Sequence, residues 1–221
     1  MDKWVTAGPD ALLDEQSWST VTYEAATKFS AEQGQLAYAA SKGAAERAAL
    51  DFAKQPDVHF ALSTHAPTYV LGRNYAPGPK TLKTAGSTVA MALNMLWDQK
   101  DFTAAAAFEP DTFVWVEDVA RSHVAAALDP TVSAGHRYLL INARSSWKQL
   151  IRYSIKAQPE LKAHFPPIPD QPTEDEVPTN KYSYDSSRAE KEFGFKYKSM
   201  ENIAASFAQY VAEVAKSEGA L

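Results

Sequence analysis

Apolar and polar positions along this chain follow two rhythms, one helical and one extended. Ile203, Phe207, Tyr210, Val211 and Val214 form one stripe between Ser199 and Glu218, which predicts a helix with a single core-facing side. Leu82, Val89, Met91, Ala92, Met95 and Leu96 predict a second amphipathic helix within 81–98, its methionines acting as core filler. Leu150 and Ile151 point inward from a third, over 147–156, which Ser145 or Ser146 can cap. The longest helix is expected from Gly34 to about Lys54, where Tyr38, Lys42, Ala45 and Ala49 keep a helical period. Shorter helices are expected at 24–29, from Val119 to about Leu128 behind a capping Asp118, and at 186–193, ended by Gly194.

Extended runs lie between these helices. Val58 to Ser63 is a short apolar run following a helix, which predicts a buried parallel strand with the loop 64–74 at its carboxyl end, where open α/β sheets bind ligands. Residues 112–116, 135–141 and 182–185 predict further strands. The opening 1–20, with Gly8-Pro9-Asp10 and then Asp14 to Trp18, reads as a loop, 75–80 as a turn-rich break, and 166–181, with five prolines and a cluster of acids, as an irregular connection. Alternating strands and helices make this an α/β chain.

Composition removes several function classes. The 221 residues are 45% apolar and 22% charged, enough for one globular core with an appended lobe. A formal charge of −5 with no basic run argues against binding to nucleic acid or anionic membrane. Cysteine is absent, so disulfides, thiolate metal sites and cysteine nucleophiles are excluded. The five histidines lack metal-ligand spacing and read as packing or surface residues, so no metal is expected. Neither a signal-peptide apolar region nor a membrane-length apolar run is present, and the cytoplasm is the default location.

The chemistry-bearing pattern is Tyr38-Ala-Ala-Ser-Lys42. A phenol and an ammonium at i and i+4 share one helix face, and the cation favours the phenolate, so Tyr38 can exchange a proton with a substrate oxygen. Spacing alone is weak evidence, because an exposed surface pair has the same form. Small residues at 39, 40, 43, 44 and 45 add to it by letting another backbone or a flat ligand come close. Glu117 and Asp118 read as structural rather than as an acid/base pair.

With Asp14-Glu15-x-x-Trp18 upstream, this pattern resembles the extended short-chain dehydrogenases/reductases, in the branch of fungal ketoreductases, dihydroflavonol-reductase-like enzymes and NAD-dependent epimerase/dehydratases. Three further stretches match in the family's order: Ala66 to Gly72, Val114 to Ala120, and Asp185 to Phe195. The resemblance implies the C-terminal part of a Rossmann-like parallel sheet with flanking helices, plus a small C-terminal substrate lobe. On that pattern, about 1–80 and 112–145 belong to the nucleotide part, and about 81–111 and 146–221 to the interleaved substrate lobe. It also implies NADP or NAD as cofactor and a small-molecule carbonyl substrate. Tyr38 and Lys42 would be catalytic and cofactor-binding, Pro67, Thr68 and Val70 would lie against the nicotinamide, and Trp18 and Arg73 would face substrate. Two departures are Ala66, where the family commonly has Asn, and Arg73, where it commonly has Pro.

The family's glycine-rich phosphate turn is missing. No two of the nine glycines are two or three residues apart, and only 37 residues precede Tyr38, where a βαβ unit alone takes roughly 30 or more. The family's Ser or Thr upstream of the tyrosine would fall at or before Met1. The sequence thus resembles the family from just after the middle of its nucleotide domain onward. Three readings stay open: an NAD(P)H-dependent reductase or epimerase, a cofactor-free remnant acting as cyclase, isomerase or binding protein, and a fragment of a longer protein. A parallel sheet cut through its middle leaves unpaired edge, so self-association or a covering partner is expected.

Overall fold

The structure, a computed structural model, describes residues 8, 10–30, 33–177 and 182–221. Pro9 of the expected opening turn and 178–181 of the expected irregular connection lie outside the described residues. In chain order the elements are β1 (Leu12–Leu13), α1 (Tyr23–Ala26), α2 (Gly34–Ala53), β2 (Thr64–Pro67), β3 (Tyr69–Leu71), α3 (Ser87–Leu96), β4 (Thr112–Trp115), α4 (Val116–Leu128), α5 (Pro130–Ser133), β5 (Arg137–Leu140), β6 (Ala143–Arg144), α6 (Trp147–Ala157), β7 (Ser183–Tyr184), α7 (Ser187–Phe193) and α8 (Met200–Ser217), with short 3-10 turns between them.

The chain divides into two compact units. The first comprises Met1–Ala66, Ser122–Leu139 and Asn180–Phe195, and the second Pro67–Arg121, Leu140–Thr179 and Lys196–Leu221.

In the second unit the stripes of α6 and α8 do what their spacing predicts, whereas Met91 of α3, expected as core filler, is exposed. Ile203, Phe207, Val211 and Val214 of α8 and Leu150 and Ile151 of α6 are buried in one core. Each such side chain contributes roughly 1.5–3 kcal/mol on leaving water. Trp147 sits edge-on to Tyr69 and Phe113, with ring centroids 5.5 and 5.9 Å away, and its indole N–H donates to the Phe108 carbonyl at 2.9 Å. Ser146 and Ser199 cap α6 and α8, accepting from the amides of Gln149 and Asn202. A three-stranded sheet completes this unit: β3 runs parallel to β4 with Leu71 opposite Trp115, and β4 runs antiparallel to β6.

Asp118 does not cap its helix. Because α4 starts at Val116, Asp118 lies inside the first turn, fully buried. One carboxylate oxygen accepts from the Asn142 amide at 2.6 Å and the Lys198 backbone N–H at 2.9 Å, while the other accepts from Arg121 at 3.0 Å. Its role is structural, as a tie between three segments.

In the first unit, β1 pairs in parallel with β7, Leu12 opposite Ser183. The expected strand at Val58–Ser63 is absent, and the extended segment begins at Thr64. Phe60 is 56% exposed, so the apolar run lacks the two covered faces a buried parallel strand needs. Thr64 donates from its amide to the His136 carbonyl at 3.0 Å, joining β2 to the chain entering β5. Gly194 ends α7 in the left-handed region at φ 68°, where glycine carries no Cβ penalty.

Candidate active site

Helix α2 carries the expected acid/base pair. Tyr38 and Lys42 lie on one face, with the Lys42 ammonium 5.3 Å from the centroid of the Tyr38 ring. The cation therefore sits against the π-face of the phenol ring. The side chain of Tyr38 is 53% exposed, so the ring is open to a reactant. Ala45 and Ala49 are exposed as well, so the periodic stripe expected along this helix is its outer face, while Ala39 and Ala40 are its buried contacts. The Ser41 hydroxyl donates to the Tyr38 carbonyl at 2.7 Å. A Cβ on Gly43 would come within 3.3 Å of the Ser19 side chain, so the small residue here admits the preceding loop.

That loop is shaped by an Asx-type turn. The Asp14 carboxylate accepts from the Gln16 amide at 2.9 Å and the Ser17 hydroxyl at 3.2 Å. Trp18 follows, with two guanidinium groups over its ring, Arg137 at 3.7 Å and Arg47 at 4.3 Å from the centroid. Both cations stack on the indole, which pins the loop. Arg47 also donates to the Ser19 carbonyl at 3.1 Å.

Sequence reasoning missed the bond that orients α2. Arg137 on β5 grips Glu46 on α2 through two parallel hydrogen bonds, Nε to Oε1 at 2.8 Å and Nη2 to Oε2 at 3.0 Å. Glu46 Oε1 also accepts from the Thr64 hydroxyl at 2.5 Å. Burial pushes the Glu46 carboxyl up, but the Arg137 and Thr64 hydrogen bonds outweigh it and hold the group below its ordinary value. Arg137 further donates to the Glu15 and Ser17 carbonyls, so one side chain ties the loop, β5 and α2 together. Glu46 follows Lys42 by four positions, a signal visible in sequence; its partner 91 residues away is not.

A histidine cluster backs this arrangement. His65 stacks on His123 at 4.0 Å and on Tyr138 at 5.0 Å, and its Nδ1 lies 3.0 Å from the Ser122 hydroxyl. Burial, and then the neighbouring His123, push the His65 imidazole down to about 4. The Tyr138 hydroxyl donates to Glu192 at 2.6 Å, and burial raises its pKa. Among the described residues no group of three or more His, Cys, Asp or Glu could hold a metal ion, and no helix is long and apolar enough to cross a membrane.

The remaining expected residues fall in the second unit. Thr68 donates from both its amide and its hydroxyl to the Leu140 carbonyl, the Val70 carbonyl accepts from Thr88, and Pro67 is exposed. Arg73 is paired with Glu213, its Nη2 within 2.6 Å of both carboxylate oxygens, and lies 5.5 Å over the Tyr210 ring.

Comparison with known proteins agrees with this architecture. No family model matches the chain. The ketoreductase azaE of Aspergillus niger is 33% identical over 191 residues, 86% of this chain and 53% of that protein. A reductase solved during structure-guided engineering is 31% identical with a TM-score of 0.73, covering 92% of this chain and 58% of the other. The yeast methylglyoxal/isovaleraldehyde reductase, solved with NADPH, has a TM-score of 0.79 at 21% identity over 98% of this chain and 61% of its own, a likeness of fold. The chain thus spans about half the length of the curated relatives it matches. Parallel strand pairs with flanking helices, the Tyr38-x-x-x-Lys42 face and these likenesses converge: the chain is homologous to ketoreductases and NAD-dependent epimerase/dehydratases and shares the Rossmann-like fold of such reductases.

Proposed function

We propose that this chain serves NAD(P)H-dependent reduction of a ketone or aldehyde on a small or secondary metabolite, with Tyr38 as the acid. The observation that carries the reading is the single exposed face of α2, where the ammonium of Lys42 lies 5.3 Å from the Tyr38 ring. Tyr38 would give its phenolic proton to the carbonyl oxygen as the carbonyl carbon is reduced, and the Lys42 charge would stabilise the phenolate left behind. When bound, the dinucleotide supplies the hydride.

The residues present suit one end of that cofactor. A phenol with an ammonium over its ring, and Ser41 exposed beside them, suit the nicotinamide ribose. The diphosphate end has no glycine-rich turn within these residues, and Gly43 is taken up by Ser19. Family resemblance supports Pro67, Thr68 and Val70 as the nicotinamide lining, and Trp18 and Arg73 as substrate contacts. We also infer self-association, supported by exposed Phe52, Phe60, Val124 and Leu128 in the first unit.

Titrating NADPH into the chain while following its fluorescence tests the reading. Binding is expected to be weak, with a dissociation constant near about 1 mM, because the diphosphate lacks its turn amides. No saturable change at several times that concentration retires redox chemistry for this chain.

A further inference from the structure

Arg73, a substrate contact in the function proposed for this chain, lines a groove of about 490 Å³ in the second unit, together with Tyr75, Trp115, Glu117, Gln158 and Ser206. Strands β3 and β4 run parallel and end opposite one another at Leu71 and Trp115, and the chain then leaves through Gly72-Arg73 on one side and Val116-Glu117 on the other. The groove therefore opens at the carboxyl ends of two parallel strands, a place where diverging chains leave room for a ligand.

Trp115 is a wall here and not a stacking platform. A Cβ on Gly72 would fall 3.2 Å from Trp115 Cδ1, so the backbone lies directly against the indole, and the Lys198 ammonium stands 5.7 Å from the centroid of the same ring. The indole N–H donates to the Ser206 hydroxyl at 3.2 Å, which fixes the ring's orientation. Recognition in the groove therefore falls to charge and hydrogen bonding.

Two cations keep binding capacity. Arg73 meets Glu213 through Nη2 alone, 2.6 Å from one carboxylate oxygen and 2.5 Å from the other. Among the described residues its Nε and Nη1 hydrogens have no acceptor, which leaves most of the guanidinium fork for a second planar anion. Lys198 is fixed by its backbone, which donates to Asp118 at 2.9 Å and accepts from the Asn142 amide at 3.0 Å, and no carboxylate among the described residues pairs with its ammonium. Against these stand Glu213 and Glu117, the latter accepting from the Tyr75 hydroxyl at 2.6 Å. The four charges sum to zero, so a doubly charged ligand gains little extra attraction and loses more hydration than a singly charged one.

We propose that the groove binds the carboxylate of a small oxo acid, held by the free edge of the Arg73 guanidinium, with the Lys198 charge nearby and the Gln158 carboxamide on the ligand's remaining polar groups. This assignment rests on the reading of the chain as a carbonyl reductase, and it names a keto acid or aldehyde acid as the substrate class.

Titrating 4-oxopentanoate into the 15N-labelled chain without cofactor, beside its uncharged counterpart 5-hydroxypentan-2-one and inorganic phosphate, tests it through the Trp115 indole resonance, assigned with Trp115→Phe. A saturable shift with a dissociation constant of about 1–10 mM is expected for the oxo acid, with binding about tenfold weaker for the uncharged ketone. Arg73→Gln should weaken the oxo acid about tenfold, and Glu117→Gln should tighten it about threefold by removing a like charge from the wall. If Arg73→Gln does not fold, Arg73→Lys keeps a charge facing Glu213 but loses the planar fork, and the same direction of change is expected. Neither cofactor nor turnover enters the titration, so its failure removes the carboxylate contact and leaves Tyr38 as the acid, whereas failure of the Tyr38 chemistry leaves the titrated contact in place. The proposal is overturned by no saturable shift at about 50 mM oxo acid, by equal binding of the uncharged ketone, by tighter binding of phosphate, or by binding unchanged in the folded Arg73 variant.

Discussion

Arg137 and Glu46 face each other across 91 positions of sequence, joined by two parallel hydrogen bonds of 2.8 and 3.0 Å. Their side chains are only 17% and 18% exposed. Planar pairing of this kind, largely out of water, sets the rotation of α2 and with it the direction of Tyr38 and Lys42.

Removing one partner strands the other. Arg137→Ala is expected to cost about 2 kcal/mol by leaving a half-buried carboxylate without its cation. The double variant Arg137→Met with Glu46→Leu should cost less than the single change. Urea unfolding of the three proteins checks this, and a double variant as unstable as Arg137→Ala would show that packing around the pair dominates.

For Tyr38→Phe, which keeps the ring against Lys42 and deletes only the hydroxyl, carbonyl reduction should fall by about 10²–10⁴-fold with little change in stability. Steady-state kinetics beside thermal melting separates the two effects. Unchanged turnover would remove Tyr38 from the chemistry.

Acid should loosen the first unit through His65. Its folded value of about 4 lies below the ordinary 6.5, so the folded state binds the proton less readily than the unfolded chain does. The stabilisation is complete above pH 6.5 and is lost progressively as pH falls toward 4. The shift corresponds to at most about 3 kcal/mol, nearer 2 once solvent at the half-buried ring is allowed for. His65→Phe should flatten urea midpoints between pH 6.5 and 4. The slope that remains below pH 4.5 belongs in part to Glu46, whose carboxyl is held low and so favours folding only while ionised.

Gly72 and Gly135 both have positive φ, 129° and 78°, but differ in their surroundings. A Cβ at Gly135 meets nothing within 4 Å, so Gly135→Ala should cost only the backbone penalty of about 1 kcal/mol. Gly72→Ala adds a 2.7 Å clash with Val116 and should cost about 2–3 kcal/mol more. Melting temperatures of the two variants decide it.

Local signals were the legible ones. The stripes of α6 and α8, the capping serine at 146 and Gly194 depend on neighbours within a turn or two, and the structure has them as expected. The run Val58–Ser63 misled because apolar strand formers pair only where a neighbouring strand and a covering layer exist, and Phe60 and Ala61 have neither face buried. Asp118 was recognised as structural, but its bonds to Asn142 and Lys198 depend on segments far along the chain. The Tyr38 and Lys42 face was readable from its i, i+4 spacing. The Arg137 grip behind it was not, because no periodicity links positions 46 and 137.

The pairing of Leu12 with Ser183 sets an order of events during synthesis. Helix α2 is made before its anchoring strand, which arrives with Arg137, and the partner of β1 arrives only near residue 183. Until Arg137 arrives the helix carries an outward tyrosine and a Glu46 without its guanidinium partner on a nascent chain, waiting on a contact of long sequence separation. Slowing translation before residue 137 should therefore prolong exposure of that segment to chaperones and proteases, while the locally wired α6 and α8 would be touched far less.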